Sequence, residues 1–269
     1  MAQTAAATEG ALPILYRDER LVAVHKPSGL LVHRTALDSH ETRFAVQLLR
    51  RQLRRRVHAV HRLDKAASGA LLFALDPATA AALGKAVRAR ELQRSYLAVV
   101  RGRITQAGTI EHPLELRRDP AERAAGGGRH EADERDGRAV RPAVTRYWPL
   151  ASAELPYRVD RYPTTRYSLL RLEPLTGRRH QLRRHLAHAS HPIVGDTTYG
   201  NGRHNRLFRE RLASERLLLA CVELRLVHPA SREPLVIRAP LAADFAGVVA
   251  ALGWTGAVPA PWWPGPPAG

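Results

Sequence analysis

Residues 57–75 read VHAVHRLDKAASGALLFAL, a polar loop that runs directly into an apolar strand. An unbroken apolar run of that length after Ser68-Gly69 predicts a buried strand over GALLFAL. The loop sets the carboxylate of Asp64, within His61-Arg62-Leu63-Asp64, at the strand's entrance, where loops on a rigid support often hold reactive groups. Asp64 is therefore the leading candidate for a nucleophile or base. An Asp in such a loop also makes local turn hydrogen bonds, and on these residues alone that reading is the commoner one.

Working outward, ILY (14–16), a turn at Asp18-Glu19-Arg20 and LVAVH (21–25) predict a β-hairpin, closed by the Pro/Gly turn Lys26-Pro27-Ser28-Gly29. From Thr42 to about Leu53, apolar residues at Ala45, Leu48, Leu49 and Leu53 have helical spacing, with an Arg-rich polar face. Pro77 opens a helix to about Arg90, followed by the strand SYLAVVRG (95–102). Residues 119–138 carry a triple Gly and dense charge with almost no large apolar residues, so a mobile loop is expected. Beyond it AVTRYWPL and TTRYSLLRLEP alternate like strands, and TGRRHQLRRHLAH (176–188) reads as a helix after a Thr-Gly turn. LLLACVELRLVHP and PLVIRAP resemble a hairpin pair, and a last helix is expected from about Asp244 to Leu252. The expected organisation is a flexible N-terminus at 1–12, one domain over 13–254, and a frayed Pro/Trp-rich tail at 255–269.

Lys and Arg together number 42 against 25 Asp and Glu, a net charge of +17 carried mostly by Arg. Arg's planar fork matches phosphate geometry and stacks on bases, so a polyanionic partner is expected. Compositional bias alone also raises Arg and Ala, as in the Ala-rich stretch near 77–88. The single cysteine, Cys221, lies in an apolar run, which excludes disulfides and thiolate metal clusters. No stretch has the length of apolar sequence a membrane-spanning helix needs, and MAQTAAATEGALP has no signal-peptide pattern, so a cytoplasmic location is expected.

The second cluster of interest, Thr176-Gly177-Arg178-Arg179-His180-Gln181-Leu182-Arg183-Arg184-His185, places guanidinium and imidazole groups on successive helical turns. Arg178, at its start, is placed to meet an opposing carboxylate bidentately, and such a partner keeps a buried carboxylate charged against desolvation. The plain alternative is a solvated basic face. His185, His188 and His191 have regular spacing, but Pro192 and Gly195 break the helix and no Cys or Glu stands at zinc-site spacing, so no metal is expected. Tyr96 shares a strand face with Ala98 and Val100, which reads first as core packing and second as a hydroxyl for proton transfer.

In this order HRLD with SG, RxYxAxVxG, TGRxHQxRxH and HPIVGDxxYG resemble the successive motifs of the RluA family of pseudouridine synthases, from about Ile14 to Trp254. LVHRTALDSHE, DRYPTTRYSL and the HNR after YGN are similar to the members that modify uridine 65 of tRNA. The resemblance implies an α+β pseudouridine synthase fold, a long mixed, mainly antiparallel sheet with flanking helices and a central RNA-binding cleft. It implies no metal and no organic cofactor, a tRNA partner with ribosomal RNA as the alternative, and a monomer. It assigns Asp64 as the essential carboxylate, Tyr96 as the acceptor of the carbon-5 proton, and Arg178 as the partner of Asp64. It gives Arg62 the gap left by the flipped nucleotide and Leu219 an apolar wall, with His61, His180, Gln181 and Arg183 as further RNA-binding candidates. Ala67, Ala220 and His25 depart from the family's usual Thr, His and Asn without removing a catalytic group. An RNA chaperone with secondary catalysis is the reading from a different class, and a retained effect in an Asp64 variant would favour it.

Overall fold

The computed structural model describes residues 10–33, 42–115 and 140–265, so the loop expected at 119–138 lies outside the described residues. In chain order the elements are β1 (Ile14–Arg17), β2 (Leu21–Lys26), α1 (Ala45–Leu53), β3 (His58–Ala59), β4 (Ser68–Ala74), α2 (Pro77–Arg88) and β5 (Gln93–Arg101). There follow β6 (Gly108–Glu111), β7 (Leu114–Glu115), β8 (Val140–Arg141), β9 (Val144–Leu155), β10 (Thr165–Pro174), α3 (Gln181–His188), α4 (Gly202–Leu212), β11 (Leu219–Val227), β12 (Pro234–Arg238) and α5 (Ala243–Ala251). Local chemistry fixes several boundaries. The Asp18 carboxylate accepts the N–H groups of Arg20 and Leu21 to close the first hairpin. Asp76 caps α2 by accepting the Thr79 N–H, with Pro77 in the first turn where no donor is needed.

The large sheet runs β1-β2-β4-β11-β5-β10-β9-β6, with β12 added on β11 and β3 on β4. Its pairings are antiparallel except one, β4 with β11, which is parallel and joins only Ser68 to Ala220 and Gly69 to Cys221. This is the expected α+β architecture. It depends on Gly69, whose φ is +108° and on which a Cβ would lie 2.0 Å from the Cys221 carbonyl oxygen. No side chain fits there, so the strand after the HRLD loop reaches β11 only as glycine.

Central strands are covered on both faces, which is why their sequences run apolar instead of alternating. Leu97 and Val99 face one cluster with Phe208, Phe245 and Val249, while Tyr96, Ala98 and Val100 face the other with Leu71, Leu172 and Leu182. Helix α4 has no counterpart in the sequence reading, because its Arg-rich sequence buries only His204, Leu207 and Phe208. Among the described residues no helix is long and apolar enough to cross a membrane.

Two terminal expectations need correction. Leu12, assigned to the flexible N-terminus, is buried and exchanges backbone hydrogen bonds with the Gln52 amide. Of the stretch expected to fray from 255, the described residues to 265 pack instead: Val258 and Trp262 are buried, the Leu241 N–H donates to the Trp262 carbonyl, and the Trp262 indole reaches Glu223. Trp262→Ala is expected to cost about 3 kcal/mol of stability, as large-to-small changes of buried aromatics do. Urea denaturation checks this, and a wild-type midpoint would mean the segment adds nothing to the core.

Candidate active site

Asp64 is presented by a loop that the protein pins from beneath. Lys26, fully buried, donates through Nζ to the carbonyls of Pro27, Leu30 and Lys65 at 2.8, 2.7 and 3.0 Å. The Gly29 N–H also reaches the Lys65 carbonyl, and Ser28 Oγ donates to the Ala66 carbonyl at 2.7 Å. Burial pulls the Lys26 ammonium down to about 7, against the opposing pull of the Asp64 charge. At the far end of the loop Arg216 donates to Ser68 Oγ at 2.6 Å. The turn read as KPSG is thus the floor of the Asp64 loop.

The guanidinium opposite Asp64 belongs to Arg183. Its Nε and Nη2 bind the two carboxylate oxygens of Asp196 at 2.7 and 2.8 Å, and Nη1 faces Asp64 Oδ2 at 3.5 Å. Asp196 also accepts the N–H groups of Thr198 and Tyr199. Burial alone would raise the Asp196 carboxyl, but these hydrogen bonds and the Arg183 charge hold it below the usual range. The expected pairing of Arg178 with Asp64 is therefore corrected. Helix α3 begins at Gln181, after His180 turns the chain at φ 53°. Arg178 lies before the helix, where its Nε donates to the Pro142 carbonyl at 3.1 Å. The helical phase set by Leu182 and Leu186, both buried, carries Arg183 inward instead.

Asp64, with 17% of its side chain exposed, opens into a cavity lined also by Tyr96, Leu219, Arg94, Arg178 and Arg183. Burial pushes the Tyr96 phenol far above its ordinary range, so it is protonated in the resting site. Leu219 supplies the apolar wall. The other expected RNA-binding residues divide. Arg62 is exposed at the cavity. His61 points inward, where its Nε2 accepts the Leu72 N–H at 3.2 Å. Gln181 is buried and spends its amide on Thr176, the Arg178 N–H, Val144 and Thr145, so it anchors the loop before α3. His180 meets the Tyr199 hydroxyl at 3.1 Å. The three regularly spaced histidines go to separate partners: His185 to Thr145 and the His112 carbonyl, His188 to a stack on His112, and His191 to the Arg101 carbonyl.

The sequence reading gave no role to Lys26, Asp196 or Arg94. An Asp two residues before Thr198 signals a turn cap, which Asp196 is, and nothing local distinguishes a cap that also grips a buried guanidinium.

Burial pushes the His61 imidazole down to about 4, with the nearby Arg94 charge adding to the effect. A histidine that stays neutral when folded but takes a proton when unfolded makes stability fall with acidification. The loss sets in below the unfolded value near 6.5 and is complete by about pH 4, amounting to about 3 kcal/mol. His61→Gln, which keeps an acceptor for Leu72, is expected to show a correspondingly flatter stability profile over pH 6.5–4 in denaturant titrations. Identical slopes would show that His61 does not carry this acid sensitivity.

Residues 20–188 match the family model described as RNA pseudouridylate synthase. The chain is 46% identical over 244 residues to tRNA pseudouridine synthase C of Vibrio cholerae, covering 90% of this chain and 96% of that protein. It is 43% identical to the protein of the same name from Pasteurella multocida, covering 90% and 97%. Among solved structures, human RNA pseudouridylate synthase domain containing 1 superposes with a TM-score of 0.63 at 28% identity, covering 88% of this chain and 86% of that one. With the loop-borne carboxylate, the matched motifs and the shared fold agreeing, the chain belongs to the RNA pseudouridylate synthase family.

Proposed function

We propose that this chain isomerises uridine to pseudouridine in tRNA, at position 65, with Asp64 as the reacting carboxylate. The observation that carries the reading is the Asp64–Arg183 pair, 3.5 Å apart at the mouth of a cavity that also holds Tyr96 and Leu219. The names of the relatives support tRNA as substrate, and the similarity of LVHRTALDSHE and DRYPTTRYSL to the position-65 members supports the site.

The reaction breaks the bond between N1 and C1′, turns the base, and joins C5 to C1′. None of those atoms is reachable within a stacked stem, so the uridine leaves the helix and enters the cavity. Arg62, exposed beside Asp64, is positioned to take the space it leaves. Two routes suit the Asp64 carboxylate: attack on C1′, or removal of a ribose proton as uracil departs. In both, Arg183 fixes the carboxylate and the apolar wall at Leu219 excludes water that would otherwise hydrolyse the cleaved sugar. After C5 is joined, its proton passes to Tyr96 as the phenol releases its own proton to the base, where N1 regains one, so the protons balance. The surplus of Arg contacts phosphates and 2′-hydroxyls, since side chains cannot read the deep major groove of A-form RNA. The enzyme acts in the cytoplasm as a monomer, without metal or organic cofactor.

Unmodified tRNA transcripts are incubated with the protein or with Asp64→Ala, and pseudouridine is mapped by carbodiimide-dependent primer-extension stops. The expected result is a stop at position 65 that the variant fails to produce, its rate falling by at least about a thousandfold, as for loss of an essential reacting group. A stop only on ribosomal RNA fragments would move the substrate, and a stop that survives in the variant would remove Asp64 from the chemistry.

A further inference from the structure

We propose that Arg94 is a catalytic residue whose guanidinium holds the negative charge that develops on the uracil oxygens when the glycosidic bond breaks. This deepens the function proposed above and rests on it. Cleavage sends the electron pair of the C1′–N1 bond to N1, from which it spreads over O2 and O4. Joining C5 to C1′ later releases the C5 proton while N1 regains one, so the isomerisation needs no added reactant. Between those events the free base carries a full negative charge within a cavity walled in part by Tyr96 and Leu219. Fixed positive groups aimed at a developing charge in such surroundings are worth far more than in water.

Arg94 is placed for that task. It precedes Tyr96 by two positions on β5, so both side chains project from the same face of the strand. It lines the same cavity as Asp64, Tyr96 and Leu219. Its Nε–H is fully enclosed, yet meets no hydrogen-bond acceptor among the described residues. A buried donor left unsatisfied is costly, and a ligand oxygen arriving in the cavity satisfies it. The head of the side chain lies beside Gly177, its Nη2 3.5 Å from where a Cβ would stand, so the guanidinium reaches the TGR segment that lines the cavity.

Two of the other guanidinium groups at the cavity have different engagements. Arg183 is divided between Asp196 and Asp64, and Arg178 gives its Nε–H to Pro142. His61 accepts the Leu72 N–H and so presents a neutral ring beside Arg94. Arg94 thus stands at the Tyr96 side of the cavity, where the base must turn for C5 to face the sugar, and Asp64 occupies the ribose side.

The test uses the full-length protein with a tRNA transcript, comparing wild type, Arg94→Met, Arg94→Lys and Arg94→Ala. Single-turnover rates at saturating enzyme are measured beside the RNA dissociation constant from filter binding. For Arg94→Met the rate is expected to fall about 10²–10³-fold, the scale of losing one donor to a developing anion, with RNA affinity within about twofold of wild type. Arg94→Lys recovers part of the rate, and added methylguanidinium raises the rate of Arg94→Ala but not that of wild type, a response a purely structural residue does not give. A wild-type single-turnover rate in Arg94→Met overturns the proposal. So does a defect confined to the dissociation constant, which would make Arg94 a phosphate contact. An inactive wild-type protein would instead refute the function on which the proposal rests.

Discussion

The site depends on one guanidinium shared by two carboxylates. Arg183 gives its bidentate edge to Asp196 and its remaining amino group to Asp64, and its own side chain is 8% exposed. Burying these charges is costly, and the arrangement is tolerable because each is paired. The division of roles is asymmetric. Asp196 is saturated by Arg183 and by two backbone N–H groups, so it serves as an anchor, while Asp64 keeps one longer contact and an opening into the cavity. A carboxylate held on one side and open on the other suits a group that must react.

The fold brings these groups together at a two-residue parallel junction of its sheet. Strands β4 and β11 touch only through Ser68–Ala220 and Gly69–Cys221, and then diverge. The loop that ends in Ser68 therefore sits at a gap, between Lys26 below and α3 opposite. Arg216 bridges the same junction from behind, reaching Ser68 on one side and Asp244 of α5 on the other. Long antiparallel strands supply rigidity, and the single short parallel contact supplies the space in which a nucleotide can be held.

Much of this was legible in the sequence. HRLD before an apolar strand made Asp64 a candidate that, taken alone, reads more commonly as a turn Asp, and the ordered motifs supplied the family, the mainly antiparallel fold and the expectation that Asp64 reacts. The sequence suggests Arg178 as the partner of Asp64 and Arg183 as an RNA contact, and the structure differs for a physical reason: both lie in one Arg-rich string, and which of them faces inward depends on where the helix starts. His180 sets that start with a left-handed turn that composition does not signal. Gln181 and His61 look like RNA contacts because they are polar and lie in the motifs, but their side chains are buried and hydrogen-bonded within the protein. Lys26 looks like part of a turn for the same reason. The segment from 255 is rich in Pro and Gly, which suggests fraying, and only the Trp262 pocket formed with β11 and the stretch before α5 makes it part of the core.

Whether Arg183 or Arg178 holds the Asp64 carboxylate for the proposed reaction is decided by single-turnover conversion of a tRNA transcript with saturating Arg183→Lys or Arg178→Lys enzyme, each shown to be folded by circular dichroism. Lysine keeps the charge but loses the fork that grips two carboxylates. The Arg183 variant is predicted to fall at least about a hundredfold and the Arg178 variant to stay within about tenfold, the difference measuring transition-state stabilisation. The reverse order would contradict the account.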